Sequence, residues 1–271
     1  MLEHMEMPEL PEIHLFAKDM HQELVGKTFD AVEIVQPKSL NLPPEDFRGR
    51  LIGTSIQAVS YHGKWIQLEL SKGWLLINLG MGGEILLITD ENYPEKVRLA
   101  FRFTDGSSLA VNFWWFGYAH WADTLADHAM TAKLGPNAID LSLEAFRSLL
   151  QGRRGAIKPF LLNQARIAGI GNVTVQDPLF RARIHPMRKI SDLSDDEVEA
   201  LYGEIQHTLR EAIEHGGSKW ERNLYGRHGS WGKDFFSVAY RLDEPCPVCG
   251  KTIEKIKTGS TSSYICAHCQ L

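Results

Sequence analysis

The strongest constraint on this chain is the arrangement of its cysteines. All four lie near the C-terminus, as Cys246-Pro-Val-Cys249 and Cys266-Ala-His-Cys269. Two CxxC turns on a short hairpin supply four thiolates at tetrahedral corners, which is the usual ligand set of a structural zinc. Disulfides are the alternative, but an oxidised framework would also place cysteines elsewhere in the chain. The spacing predicts one structural Zn²⁺ bound by Cys246, Cys249, Cys266 and Cys269, with no ligand position open for catalysis.

The size and composition are those of a globular protein of about two domains. The 271 residues are 44% hydrophobic and 23% charged, which excludes a disordered chain and a coiled coil. No apolar run reaches the roughly 18–20 residues of a membrane span, and the acidic N-terminus lacks the apolar core of a signal peptide. These features predict a soluble, cytoplasmic protein without a membrane partner. The net charge of −5 argues against a nucleic-acid partner only as an average over the whole chain.

The charge is unevenly distributed along the sequence. Residues 145–189 contain nine lysines and arginines against one acid, Asp177. Residues 190–215 contain eight acids against Arg210, with the apolar spacing of an amphipathic helix, which predicts a solvated scaffold helix. Residues 216–241 again carry five bases against two acids. The two basic stretches are the predicted contacts to phosphate, although a basic run is also compatible with a solvated helix surface.

Local patterns divide the chain into segments of different character. Residues 11–27 have the pattern of an amphipathic helix that ends at Gly26. From about Phe29 to Trp121, short β-rich runs alternate with turn signals, which is typical of a β-sandwich or barrel. After a boundary near residues 135–140 the pattern becomes helical.

The sequence GIGN at residues 169–172 lies within the first basic stretch. It separates a predicted helix that ends at about Ala168 from another that begins near Asn172. Two glycines permit a tight turn that leaves amide N–H groups exposed, and the following helix N-terminus can hold an anion. Asn172 is expected to cap that helix or to donate to a phosphate. Alone, GIGN would fit an ordinary helical hairpin, but neighbouring bases such as Lys158 favour phosphate binding.

Several motifs occur together in a characteristic order. They are MPELPEI, GKWIQLEL, NLGMGG, LGP, KPFLLNQARIAGIGN and the final CxxC pairs followed by Gln270. In these motifs the chain resembles the bacterial formamidopyrimidine-DNA glycosylase and endonuclease VIII family over nearly its whole length. The resemblance implies an α+β multidomain protein that holds duplex DNA in a cleft between its domains. We expect an N-terminal β-sandwich with a leading helix at residues 8–138, a helical helix-two-turn-helix domain at 139–240, and a zinc-finger β-hairpin at 241–271.

The resemblance also implies a chemistry. Enzymes of this family remove oxidised bases and cleave the strand at the abasic sugar through a Schiff base formed by an N-terminal proline. Carried over, Pro8 is the nucleophile, Glu9 assists sugar-ring opening, and Glu12 occupies the second acidic position, where it is predicted to be a DNA-binding residue. Lys64 matches the lysine that contacts phosphate at the lesion, and Asn172 matches the phosphate ligand of the helix-two-turn-helix. Without that context, Pro8 would be read as a helix-entry proline and Lys64 as a solvated turn lysine.

The remaining predicted DNA contacts are residues that fill the gap left by a flipped base or lie in basic and turn segments. They are Met81, Trp115, Phe116, Lys158, Gly171, Arg222, Arg227 and Thr261.

Some of these residues depart from the family pattern. Trp114-Trp115-Phe116 stands where the family often has Arg-Phe-Gly, and an indole can stack on a base but cannot pair with it as Arg does. One of the two tryptophans is expected in the core. Thr261 stands where the family usually has a phosphate-binding Arg. Residues 217–240, where the family has its lesion-capping loop, contain Arg222 and Arg227.

The nucleophile depends on the N-terminus. The nitrogen of Pro8 within a peptide bond has its lone pair in the amide and cannot form a Schiff base, whereas a free terminal amine can. The residues MLEH are expected to be vector-derived, with natural translation beginning at Met5 or Met7. Only a start at Met7 followed by removal of Met would make Pro8 the catalytic amine.

The sequence therefore predicts a monomeric base-excision-repair enzyme, a DNA glycosylase and abasic-site lyase acting on damaged or abasic duplex DNA in the bacterial cytoplasm and nucleoid. The alternative is a non-catalytic homologue that binds damaged or distorted DNA. A zinc-stabilised protein-interaction module would leave the basic stretch and the GIGN turn unexplained.

Overall fold

The structure is a computed structural model of the chain that describes residues 7–88 and 96–271. The expected vector-derived residues and the alternative start at Met5 lie outside the described residues. The chain divides into two compact units. The N-terminal unit comprises Met1–Lys133 and His215–Ser230, and the C-terminal unit comprises Leu134–Glu214 and Trp231–Leu271. Residues 215–230 thus group with the β-rich unit, and the cysteine hairpin groups with the helical one. The division at residues 138 and 240 stays a prediction.

Among its described residues, the N-terminal unit contains two antiparallel four-stranded sheets and two α-helices. The elements are α1 (Leu10–Leu24), β1 (Phe29–Ile34), α2 (Pro44–Leu51), β2 (Ile56–His62), β3 (Trp65–Leu70), β4 (Trp74–Asn78), β5 (Glu84–Leu87), β6 (Leu99–Phe103), β7 (Ser108–Asn112) and β8 (Tyr118–Ala122). The sheets have the strand orders β1-β6-β7-β5 and β2-β3-β4-β8.

Both sheets and α1 contribute to one hydrophobic core. Along α1, Ile13, Phe16, Met20 and Leu24 recur at three- and four-residue intervals, so they share the face that is buried in this core. Gly26, with φ of +87°, follows the helix and lets the chain turn into β1. The predicted leading helix and sandwich are therefore observed.

The prediction that Trp114 or Trp115 belongs to the core is wrong. Both are exposed, by 47% and 57% respectively, because β7 ends at Asn112 and Phe113 fills the core position instead. The Phe113 ring packs closely against Gly117, because a Cβ on Gly117 would lie 2.3 Å from that ring.

The C-terminal unit contains four helices and a hairpin. They are α3 (Leu143–Leu150), α4 (Ile157–Leu161), α5 (Gln176–Arg181), α6 (Asp195–Glu214), β9 (Glu254–Thr258) and β10 (Thr261–Ile265). The predicted helix to Ala168 stops instead at Leu161, and the next helix begins at Gln176 rather than near Asn172. Side chains provide the reason: Gln164 Nε2 donates to the Ile170 carbonyl at 2.8 Å, and Gln164 Oε1 accepts from Gly169 N at 2.9 Å. Such bonds satisfy backbone groups without a helical ladder.

Among the described residues, no helix combines the length and apolar character that a membrane crossing requires.

Candidate functional site

Pro8 and Glu9 are buried at the start of α1. Glu9 is the residue before the helix, and its N–H donates to Glu12 Oε2 at 2.9 Å, so the carboxylate satisfies one N–H that the helix leaves unpaired. The other oxygen, Glu12 Oε1, accepts from Ser218 N at 2.8 Å. Three of the predicted residues are thus brought together, and Glu12 ties them to the segment 215–230.

Two carboxyl groups at this place have raised pKa values. Burial, reinforced by the charge of Glu9, raises the pKa of Glu12 to about 7. Burial, followed by the charges of Glu12 and Glu84, raises the pKa of Glu221 to about 8. Arg222 Nε lies 2.8 Å from Glu84 Oε1, so this arginine, predicted to contact DNA, is ion-paired here while remaining 44% exposed. At neutral pH, the carboxyl groups of Glu12 and Glu221 can therefore be protonated.

Glu12, Ser218 and Glu221 line a small cavity together with Phe16 and Asn223. Its volume is about 10 Å³, which is about the space of one water molecule. A base is much larger than this cavity.

Lys64 lies in the turn between β2 and β3. Asn78 Nδ2 donates to the Lys64 carbonyl at 2.9 Å, and Asn78 Oδ1 accepts from Gly80 N at 3.0 Å. One amide side chain therefore links the Lys64 turn to the loop that carries Met81. Within the described part of the chain, no ion pair engages the Lys64 ammonium, which leaves it available for a phosphate.

Met81, Trp115 and Phe116 form an exposed apolar projection. Met81 N donates to the Trp115 carbonyl at 2.9 Å, and Trp115 N donates to the Met81 carbonyl at 3.3 Å. The exposed fractions are 38% for Met81, 57% for Trp115 and 64% for Phe116. Gly80 allows this approach, because a Cβ there would lie 2.0 Å from the Trp115 carbonyl oxygen. The structure thus brings together the three residues predicted to fill the gap left by a flipped base, and backbone hydrogen bonds between Met81 and Trp115 join the two loops that carry them.

The GIGN turn differs from the prediction in its backbone. The amide of Gly171 donates to Thr174 Oγ1 at 3.1 Å, and that of Gly169 donates to the Gln164 side chain. Neither N–H is therefore left for a phosphate, and the expectation for Gly171 is wrong on this point. Asn172 does not cap a helix, because Val175 precedes α5.

Lys158 is completely buried, so the prediction that it contacts DNA directly is wrong. Its ammonium donates instead to Asn172 Oδ1 at 3.0 Å, to Ser263 Oγ at 2.8 Å and to the Ser262 carbonyl at 2.6 Å. Thr261, another predicted contact, lies at the start of β10, where its hydroxyl donates to the Thr258 carbonyl at 3.1 Å.

The basic stretch 145–189 is partly neutralised by α6. Glu197, Glu199 and Glu204 on this helix form ion pairs with arginines of the stretch. The pairs are Arg188–Glu197, Arg147–Glu199 and Arg181–Glu204, at 3.2, 2.9 and 3.9 Å. The positive charge counted along the sequence is therefore larger than the charge that these residues can offer to DNA. Arg227, in the other basic stretch, is exposed.

The four cysteine Sγ atoms lie within 4.8 Å of one another. Cys246 and Cys269 are 3.8 Å apart, and Cys249 and Cys266 are 3.4 Å apart. A tetrahedron of Zn–S bonds of about 2.3 Å has sulfur–sulfur edges of about 3.8 Å, whereas a disulfide needs about 2.05 Å. The cluster therefore fits one structural zinc, which would hold the hairpin in shape.

Sequence reasoning missed the structural role of Asp177. This buried carboxylate accepts the backbone N–H groups of Ser237, Val238 and Ala239 at 2.7, 2.9 and 3.1 Å. Burial nevertheless raises its pKa. Its one available signal was its position as the single acid of the basic stretch. Glu221 was missed as well, because only tertiary packing brings it to Glu12.

Comparison with known proteins gives matches along nearly the whole chain. Three family models match: the formamidopyrimidine-DNA glycosylase N-terminal domain over residues 7–112, the H2TH domain of the same enzymes over 134–223, and a zinc finger found in FPG and IleRS over 243–271. The formamidopyrimidine-DNA glycosylase of Roseiflexus sp. is 38% identical, covering 97% of this chain and 100% of the relative. That of Bacillus subtilis is 34% identical, covering 97% and 99%.

Solved structures agree with this result. A Lactococcus lactis Fpg in complex with DNA containing an abasic site has a TM-score of 0.87 at 28% identity, covering 97% of this chain and 99% of that one. A complex of the same enzyme with DNA containing N7-benzyl-Fapy-dG has a TM-score of 0.88 at 29% identity and the same coverage.

The fold and the cysteine cluster define the class: a helix-two-turn-helix DNA-repair glycosylase with a zinc hairpin. The chain belongs to the formamidopyrimidine-DNA glycosylase family. The predicted family, fold class, enzyme class, DNA partner and single zinc are confirmed by these matches and by the cysteine geometry.

Proposed function

We propose that this protein removes oxidised bases from duplex DNA and then cleaves the strand at the abasic sugar, with Pro8 as its nucleophile. The observation that supports the proposal is the match to the family's N-terminal domain, which begins at Met7, the residue before Pro8. Translation is proposed to begin at this methionine. Removal of that methionine leaves a secondary amine with a pKa of about 8, which is partly unprotonated at neutral pH.

The chemistry follows from the residues at the start of α1. The nitrogen of Pro8 attacks C1′ of the damaged nucleotide, and the base departs with its bonding electrons and a proton. The C1′–O4′ bond then breaks to give an iminium, and Glu9 delivers the proton that the ring oxygen takes up. The iminium acidifies the hydrogen at C2′, so this proton is lost to water, a C2′–C3′ double bond forms, and the 3′ phosphate departs with the electrons of the C3′–O bond.

DNA is held by groups in both units. Lys64 and Asn172 donate to phosphates, as do the exposed arginines Arg222 and Arg227. Met81, Trp115 and Phe116 enter the space left by the extruded base. The indole of Trp115 stacks on neighbouring bases, and this interaction is tolerant of sequence. The protein acts as a monomer on the bacterial nucleoid in the cytoplasm.

Reduction of the iminium tests the nucleophile. One protein begins at Pro8 and the other retains Met5-Glu6-Met7, and each is mixed with abasic-site DNA and borohydride. We expect a covalent adduct from the first protein, whose mass places the DNA on Pro8, and none from the second. Salt-sensitive DNA binding should be the same for both. Absence of an adduct from the Pro8 protein, with DNA binding intact, would instead identify a non-catalytic DNA-binding homologue.

A further inference from the structure

The ammonium of Lys158 connects the GIGN turn to the zinc hairpin within the C-terminal unit. On the turn it donates to Asn172 Oδ1 at 3.0 Å. On the hairpin it donates to Thr258 Oγ1, the Ser262 carbonyl and Ser263 Oγ, at 3.3, 2.6 and 2.8 Å. A buried lysine that donates to oxygens of two separate segments fixes both segments relative to its own helix, α4.

The identity of the donor determines how the Asn172 amide is oriented. An ammonium has only hydrogens to offer, so the amide atom that faces Lys158 must be the oxygen, not the nitrogen. Gln176 Nε2 lies 3.3 Å from the same oxygen and supports this orientation. The amide nitrogen of Asn172 is therefore directed away from Lys158.

The Asn172 nitrogen has no hydrogen-bond partner within residues 7–88 and 96–271, and the residue is half-buried. Without Lys158, rotation of the amide by 180° would exchange the donor for an acceptor at the position from which a phosphate is bound. An acceptor there would repel a phosphate oxygen, because both carry negative charge density.

The hairpin is joined to the same group by a second side chain. Gln176 Nε2 donates to the Ser262 carbonyl at 3.1 Å, and its Oε1 accepts from Tyr264 N at 3.2 Å. Lys158 and Gln176 thus both connect Asn172 to β10, the strand that leads directly to the zinc ligand Cys266.

We propose that Lys158 is a positioning residue: it holds the Asn172 amide with the oxygen inward and the N–H₂ group outward, and so presents a hydrogen-bond donor to a DNA phosphate. Lys158 itself does not contact DNA. This inference rests on the proposed function, in which Asn172 is a phosphate ligand.

A double-mutant cycle tests the inference. DNA affinity at constant salt is measured for the wild type, Lys158→Met, Asn172→Ala and the double variant, using an uncleavable abasic-site duplex. A hydrogen bond to a charged group accounts for roughly tenfold or more in affinity. We expect each single variant to weaken binding by about that factor and the double variant to bind like Asn172→Ala, because Lys158 acts through Asn172. Lys251→Met, an exposed lysine of the cysteine hairpin, is the matched control.

Three outcomes separate the possible failures. If Asn172→Ala binds DNA like the wild type, the phosphate contact in the proposed function is wrong. If Asn172→Ala weakens binding but Lys158→Met does not, the positioning role is overturned while the phosphate contact stands. If the effects of the two variants multiply in the double variant, Lys158 acts independently of Asn172 and the inference is again overturned.

Zinc content and thermal melting are measured in parallel, and Asn172→Asp decides the case in which Lys158→Met loses zinc or fails to fold. Aspartate keeps an oxygen toward Lys158 but offers no N–H to a phosphate. We expect Asn172→Asp to retain zinc and melting temperature while DNA affinity falls at least tenfold. Unchanged affinity in this variant would refute the outward donor and with it the role of Lys158.

Discussion

Glu12 in the N-terminal unit and Lys158 in the C-terminal unit are both charged residues inside the protein, but their surroundings differ. Glu12 accepts two backbone N–H groups and lies near two further carboxyls, Glu9 and Glu221. The three N–H groups of Lys158 face four neutral oxygens, all within hydrogen-bond distance, that belong to a turn and a hairpin. Because like charges lie close together around Glu12, the protonation of this region changes with pH. The hydrogen bonds of Lys158 instead join a turn to the cysteine hairpin, so their geometry depends on the zinc that stabilises the hairpin.

Removal of zinc should have the largest effect and should be confined to the C-terminal unit. A structural zinc contributes roughly 10–16 kcal/mol of apparent binding free energy in small metal-dependent domains. Chelation is expected to release one zinc per chain, to abolish amide protection at Tyr264 and to weaken DNA binding. Amide protection in α1 should persist, as hydrogen exchange can show. Two zincs per chain, or loss of protection in both units together, would contradict this separation.

Asp177→Ala should destabilise the C-terminal unit by about 3 kcal/mol or more. It removes the acceptor of three backbone N–H groups, and each buried donor left unsatisfied costs roughly 1–3 kcal/mol. Urea unfolding measures the loss, with the exposed Asp192→Ala as the control. A change below about 1 kcal/mol would mean that residues 237–239 find other acceptors.

The N-terminal unit should lose stability as the pH rises. The pKa of Glu12 is about 7 in the folded protein, above its ordinary value of 4.5, so the folded state binds the proton more tightly than the unfolded state. The contribution is therefore present below about pH 4.5 and is lost as the pH rises through about 7, with a total change of about 3 kcal/mol.

Glu12→Gln should reduce this pH dependence without abolishing it, because Glu221, with a pKa of about 8, contributes with the same sign. Urea unfolding at pH 5 and pH 8 measures the reduction, and the exposed Glu33→Gln should leave the pH dependence unchanged. A pH dependence in Glu12→Gln as large as that of the wild type would assign it to Glu221 alone.

Trp115→Ala should have the smallest effect on stability, because the side chain is exposed. Its stacking on a base contributes roughly 1–3 kcal/mol to DNA binding. We expect weaker binding to duplexes that lack a base, with the same loss whichever base lies opposite, and a melting temperature within a degree or two of the wild type. A loss that depends strongly on the opposite base would show that the indole reads hydrogen bonds rather than stacks.

Much of the fold was accessible from local patterns. The periodicity of residues 11–27 and the alternation from Phe29 to Trp121 predicted α1 and most of the strands. Helix α2 was not predicted, because it lies within the segment that was assigned to strands. The burial of Phe113 was not predicted either, because packing against the opposite sheet decides which residues of a sandwich are buried. The predicted helix does not extend to Ala168 for a related reason. The Gln164 side chain forms hydrogen bonds with backbone groups five and six residues further along the chain, and helix propensity takes no account of such contacts.

The sequence by itself determined the zinc ligands, the family motifs and the identity of the chemical groups at Pro8, Glu9, Glu12 and Asn172. Sequence spacing is enough to predict these features, because the functional groups of a CxxC pair or a short motif lie within a few residues of one another. Only the tertiary structure decided which charges are available to DNA. Lys158 is buried beneath Asn172, and three arginines of the basic stretch pair with α6, because the Coulomb energy of a charge depends on its neighbours in space and on its distance from water.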